Sequence, residues 1–393
     1  MSLTFLHGHA AHPDARQAMA RVVAQLRAQA SRLPAFQPTL AFFYISDHHA
    51  PVAEALLADA QAAWPGVAIV GSVGVGVSAS GVEYFDEPAL VLMLCDLASD
   101  RFSVFNGRAP LLRADAWSAL VHADPATHDL PELIQELSQR VQSGYLFGGL
   151  ASGRTRTFTL ADGVFEGGLS GVAFDAGVAL ISRVTQGCQP LGRPRLVTRS
   201  DRNLVLMLDD APALPQLLGE LGVELSNPQR AVAALRHTLV GLTDAGDAAL
   251  ARGGQFGADT RVRHLIGVDP ARQAFAVGDR VDSGVQLGFC RRDVEAARRD
   301  LVRICTELRE EVESDVTAPA GAYALEHEPR RIAGAIYVSC SGRGGPHFGA
   351  PSAELQIVQR ALGEVPLVGF FAAGEIARHH LYGYTGVLTA FLD

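Results

Sequence analysis

Residues 41–71 open with Ala41-Phe42-Phe43-Tyr44-Ile45-Ser46, an apolar run of strand length. Ala50-Pro51-Val52-Ala53-Glu54 follows, with leucines at 56 and 57, and Pro65-Gly66 leads into Val67-Ala68-Ile69-Val70-Gly71. Proline suits the first helical turn, where the amide it lacks would be unpaired anyway. The stretch therefore reads strand, helix, strand. The same order returns near the end of the chain: Ala335-Ile336-Tyr337-Val338-Ser339, then Ala350-Pro351-Ser352-Ala353-Glu354 with Leu355, Val358 and Leu362 at helical spacing, then Val365-Pro366-Leu367-Val368-Gly369. Pro131 starts a third such helix, ahead of Leu133, Ile134, Leu137 and Val141. Each helix leads to a strand closing on a G-x4-G spacing: Gly71/Gly76, Gly148/Gly153 and Gly369/Gly374. Proline and first glycine lie 20, 17 and 18 residues apart, a spacing that chance does not readily repeat.

Apolar runs follow each glycine pair, at 89–95, at 171–174 running on to 178–181, and at 386–391. Continuously apolar strands are expected where both faces of a sheet are covered. The expected class is α/β in the broad sense, mixed α+β, with helices on layered sheets and duplicated strand-helix-strand units in a pseudo-twofold relation. Ser226-Asn227-Pro228 is the strongest boundary signal, giving expected domains 1–226 and 227–393. Between the copies, 187–208 reads as strands and turns, 211–221 as a short helix, 245–259 as a surface loop, and 291–312 as the longest helix.

Composition narrows the chemistry. With 393 residues, 48% hydrophobic and 19% charged, the chain can bury a large core. A net charge of −9 argues against nucleic acid or an anionic membrane as partner. No lysine occurs, so all 33 basic residues are arginine. That excludes a Schiff-base lysine, a P-loop lysine and a kinase lysine. The five scattered cysteines suit reduced thiols, and MSLTFLHGHAAHPD has no signal-peptide pattern, so a cytoplasmic location is expected. His7, His9 and His12 read as a terminal tail rather than a metal site, and neither a cofactor nor a metal is expected.

The copies differ most in one loop. Four residues separate Ser46 from Pro51, but eleven separate Ser339 from Pro351, and those eleven are glycine-rich and carry Arg343. A right-handed strand-helix-strand crossover makes the two strands parallel, so both following turns lie on one sheet edge, where α/β proteins bind ligands. Cys340, Arg343, Gly344, Gly374, Glu375, His379 and Thr385 are the expected ligand-binding residues. Arginine offers a carboxylate a planar fork of donors, and Glu375 can accept from an amine or hydroxyl. The bland alternative is that Arg343 and Glu375 simply pair. Ser72 and Ser152 are further candidates for a pocket lining, against a role in tight turns.

Ser339-Cys340-Ser341-Gly342-Arg343-Gly344, Phe348-Gly349, Pro366-Leu367-Val368-Gly369-Phe370-Phe371, Gly374-Glu375-Ile376 and the closing 381–388 segment with Thr385 resemble the FIST C-terminal domain. The preceding portion resembles the FIST N-terminal domain. The resemblance implies a bacterial sensory module, proposed to bind small ligands such as amino acids and linked to signal transduction. Eukaryotic relatives join the domains to an F-box. With no kinase, cyclase, methyl-accepting or F-box segment in this chain, the signalling partner is expected to be a separate, unidentified protein. Two other classes stand beside this non-enzymatic reading. One is a hydrolase or acyl transferase using Cys340 with His347, His379 or His380 as base. The other is an adaptor that binds protein without a ligand.

Overall fold

A computed structural model describes residues 3–245, 256–257, 259–314 and 330–393. The chain forms two compact units. One comprises Met1–Thr185, Leu301–Leu381 and Thr385–Asp393, and the other Gln186–Asp300 and Tyr382–Tyr384. The division expected at 226/227 therefore falls inside the second unit. Pro228 does begin a helix there, Pro228–Arg236, capped by the Asn227 side chain on the Arg230 amide at 3.3 Å. The second unit is otherwise an eight-stranded sheet with the helix Ala213–Leu221 packed over Val205, Phe275 and Leu287.

The first unit is built on the repeated strand-helix-strand element. Leu40–Ser46 and Ala68–Gly74 lie parallel, joined through the helix Ala53–Ala63. Ala116–Ala123 and Tyr145–Leu150 repeat the arrangement through Leu130–Gln139, and Ile332–Cys340 and Leu367–Ala372 through Ala353–Leu362. The duplication thus extends to a third copy, the one Pro131 marks. Each first glycine has the same cause. A Cβ on Gly71, Gly148 or Gly369 would sit 1.7, 2.0 or 1.7 Å from the carbonyl oxygen of Phe43, Val121 or Tyr337, its cross-strand neighbour. No side chain fits, so the backbone approach dictates glycine.

The second glycine of each pair marks a departure. Beyond it the chain leaves its own sheet. Gly76–Ala79, with its hairpin partner Val82–Phe85, pairs antiparallel with Leu367–Ala372 of the third copy. Thr159–Ala161 pairs with Ala68–Gly74 of the first, and Glu375–Arg378 with Tyr145–Leu150 of the second. Each copy hands its hairpin to another, in a cycle. Three six-stranded mixed sheets result. One residue from each copy meets at their centre: the Tyr44 ring stacks on Phe370 at 5.0 Å, and its hydroxyl lies 3.2 Å from His122 Nε2. Burial pushes the His122 pKa down to about 3, so the imidazole is neutral.

The longest expected helix spans Val294–Ser314, with Ala297, Leu301, Ile304 and Leu308 buried as its spacing implies. His7 and His9 are no loose tail. They lie in the strand Phe5–Ala11, paired with Ala89–Cys95, and His9 Nδ1 meets the Tyr84 hydroxyl at 2.6 Å. Their flanking periodicity is too short to show this in sequence. Most of 245–259 lies outside the described residues. Among the described residues no helix is long and apolar enough to cross a membrane, and no His, Cys, Asp and Glu group is arranged to hold a metal.

Candidate functional site

In the third copy Cys340 stands opposite Ala372 in parallel register, so the two turns that follow leave the sheet side by side. The Arg343 amide closes back on the Cys340 carbonyl at 2.7 Å, turning the arginine inward. Its guanidinium is 1% exposed and lies over the Phe348 ring, 5.1 Å from the centroid. Nε donates to Glu354 Oε1 at 2.8 Å, and Nη2 lies 2.6 Å from the same oxygen. Glu354, also fully buried, accepts from the Tyr337 hydroxyl at 2.7 Å and Ser339 Oγ at 2.9 Å. These bonds engage both oxygens of the buried Glu354 carboxylate, as a buried charge requires. Arg343 therefore pairs with Glu354, not with Glu375.

Glu375 is 0% exposed and begins the strand Glu375–Arg378. Its Oε2 accepts from the Thr385 amide at 3.2 Å and Oγ1 at 2.6 Å. Burial pushes its pKa up to about 8, against the opposing pull of the Thr385 bonds, the Arg343 charge and the Cys340 thiol. At neutral pH it is a carboxylic acid with a proton to donate. Besides Arg343 Nη2, whose one contact is the ion pair with Glu354, two buried polar atoms here have no hydrogen-bond partner: Arg343 Nη1 and Glu375 Oε1. Buried polar atoms are nearly always paired, so two orphans on adjoining turns single out the spot.

Of the residues expected in the site, Cys340, Arg343, Gly344, Gly374, Glu375 and Thr385 are buried at this edge. Glycine at 344 is forced, because a Cβ would stand 2.1 Å from the Phe85 ring. The Gly374 carbonyl accepts from the Leu150 amide at 2.8 Å. His379 does not join them; it is exposed, its ring against His380 with centroids 3.9 Å apart. Ser152 Oγ bonds the Phe371 carbonyl and accepts from the Val75 amide at 2.9 Å, tying turns of three copies together. Ser72 Oγ bonds the Val73 carbonyl at 3.2 Å.

Two acids escaped the sequence reading. Glu354 matches Glu54 of the first copy, which is exposed and pairs with Arg156 instead. Glu83 arrives on the exchanged hairpin and accepts from the Leu355 amide at 3.1 Å. Burial and then Glu354 push its pKa up to about 7. The first copy's corresponding turn carries Asp47, which accepts from Arg154 Nε and Nη2 at 2.8 Å each.

Comparison with known proteins gives the same outline. Residues 39–211 match the FIST N domain and residues 214–378 the FIST C domain. Uncharacterized protein Mb0898c of Mycobacterium bovis is 32% identical over 401 residues, 97% of each chain. Uncharacterized protein Rv0628c of Mycobacterium tuberculosis is 31% identical over 400 residues, again 97% of each.

Proposed function

Because the chain belongs to the FIST family, whose domains are regarded as sensory modules of signal transduction, we propose that it senses a small amino-acid-like ligand in the cytoplasm and signals through a separate protein partner. The observation that carries this reading is the pair of orphaned atoms. Arg343 Nη1 is a charged donor, and Glu375 Oε1, the oxygen that Thr385 leaves free, is where the proton of this acid would sit, so together they would offer two donors to one anionic group. A carboxylate is the matching acceptor.

The reading is of a binder rather than a catalyst. The Cys340 thiol bonds the Glu375 carboxyl, and a carboxyl held protonated is a poor base for generating a thiolate. The exposed His379 lies outside the buried cluster.

Thermal unfolding with a panel of free amino acids and simple carboxylates tests the proposal. A ligand at about 100 times its dissociation constant adds roughly 2.7 kcal/mol of stability, a shift of several degrees. Arg343→Lys keeps a cation opposite Glu354 and removes the Nη1 donor, so the shift should vanish in a protein that still unfolds cooperatively. No shift across the panel, or an equal shift in the variant, would refute the assignment.

A further inference from the structure

Three residues of the second unit, Tyr382–Tyr384, come from a part of the chain that otherwise belongs to the first. They form the corner between the strand His380–Tyr382, whose sheet holds Glu375–Arg378, and the strand Thr385–Leu392 of another sheet. Tyr384 turns that corner with φ +62°, in the left-handed region. The conformation is costly for a residue with a Cβ and costs glycine nothing. Among the described residues no other aromatic residue adopts it. A tyrosine kept where glycine is cheaper directs attention to its side chain.

The second unit grips that side chain. The Tyr384 hydroxyl lies 2.5 Å from His264 Nε2, the Arg292 guanidinium lies over the ring, 5.0 Å from its centroid, and the ring packs on the cluster of Cys188, Val262 and Cys290. The next residue in the chain is Thr385, whose amide and Oγ1 both donate to Glu375 Oε2, at 3.2 and 2.6 Å. The Thr385 amide belongs to the planar peptide that follows Tyr384, so its direction turns with the Tyr384 backbone angles. A Tyr384 relaxed to negative φ would swing that amide off the carboxyl.

We propose that Tyr384 is a positioning residue through which the second unit regulates the ligand-facing acid. Its gripped ring holds the left-handed backbone, and that backbone aims the Thr385 donors at Glu375 Oε2 and leaves Oε1 for the ligand. The functional meaning rests on the ligand reading of Glu375 given above. Binding at Glu375 and the grip on Tyr384 then bias each other, since coupling between two sites is reciprocal.

Glutamate labelled with carbon-13 at the side-chain carboxyl, with Glu375→Gln to assign the signal, reads the titration of Glu375 by NMR. The Thr385 bonds favour the ionised form. Tyr384→Ala drops the ring and keeps a Cβ, so Glu375 should bind its proton about tenfold more tightly, the scale of one hydrogen bond to a charged group. Tyr384→Gly also drops the ring but takes the left-handed backbone freely, and should restore most of the original titration. His264 is exposed, so His264→Phe loosens the grip without disturbing the core, and should move Glu375 in the same direction as Tyr384→Ala by a smaller step. An unmoved titration in Tyr384→Ala or His264→Phe would overturn the proposal. So would equal changes in Tyr384→Ala and Tyr384→Gly, or a move toward the ordinary glutamate value, which general loosening would give. No ligand enters this experiment, so a blank amino-acid panel refutes the ligand reading separately.

Discussion

Expressed separately, residues 1–226 and 227–393 will fail to fold, although each carries one family domain almost intact. The reason is the cyclic exchange of hairpins. In the first fragment Gly76–Ala79 loses Leu367–Ala372, and Tyr145–Leu150 loses Glu375–Arg378. In the second, the sheet built on Ile332–Cys340 lacks both Gly76–Phe85 and Leu180–Gln186. The same cut divides the second unit, where Cys188–Pro190 pairs with Gln286–Arg292. Every missing partner exposes a buried apolar edge, and a net stability of about 5–15 kcal/mol does not survive such losses. The fragments should aggregate or lack a near-ultraviolet circular dichroism signal when alone. A circular permutant separates interleaving from mere sensitivity of the 226/227 turn. The Leu3 amide meets Asp393 Oδ1 at 2.6 Å, so the ends can be joined by a short linker and the chain reopened at 226/227. All strand partners are then retained, and the permutant should fold. A monomeric, cooperatively unfolding fragment would show that the exchange is not required.

The exchange also explains what the sequence could and could not disclose. Gly71, Gly148 and Gly369 were legible as a repeat because one close backbone contact imposes the same residue three times. The hairpins after them were not. Gly76–Ala79 and Glu375–Arg378 are four residues each, too short for a periodic signature, and their partners lie hundreds of residues away. The second unit was hidden because it enters at Gln186, the last residue of the strand Leu180–Gln186, and 187–208 reads as further strands and turns. At the site, Arg343 and Glu375 were found through glycine turns of unequal length. Glu354 was not, because an acid in a first helical turn has a sufficient explanation in the helix dipole, as Glu54 shows. Only the buried arginine above it changes the meaning of that residue.

Glu375→Gln should stabilise the protein at alkaline pH by several kcal/mol, much less at pH 5.5, and leave it nearly unchanged below about pH 4.5. The ordinary value for a glutamate is 4.5, and in the folded chain burial raises it to about 8. Between those limits the folded state binds the proton and the unfolded state does not. Stability is therefore full below about 4.5, falls as pH rises, and is lost completely above about 8. Each pH unit of displacement is worth about 1.4 kcal/mol, so the whole fall approaches roughly 5 kcal/mol. Glu83, raised to about 7, acts in the same direction over a narrower window. His122 and His7, lowered to about 3 and about 4, act oppositely, taking stability away as pH falls below 6.5. Glutamine mimics the protonated acid: its carbonyl can still accept from the Thr385 amide and hydroxyl, and it carries no charge to bury. Urea unfolding at pH 5.5 and pH 9 measures the difference directly. Parallel pH slopes in the two proteins would mean that Glu375 ionises in the folded chain as easily as in water, and the donor role assigned to it would fall with that result. A retained slope of about half the size is the contribution expected of Glu83 alone.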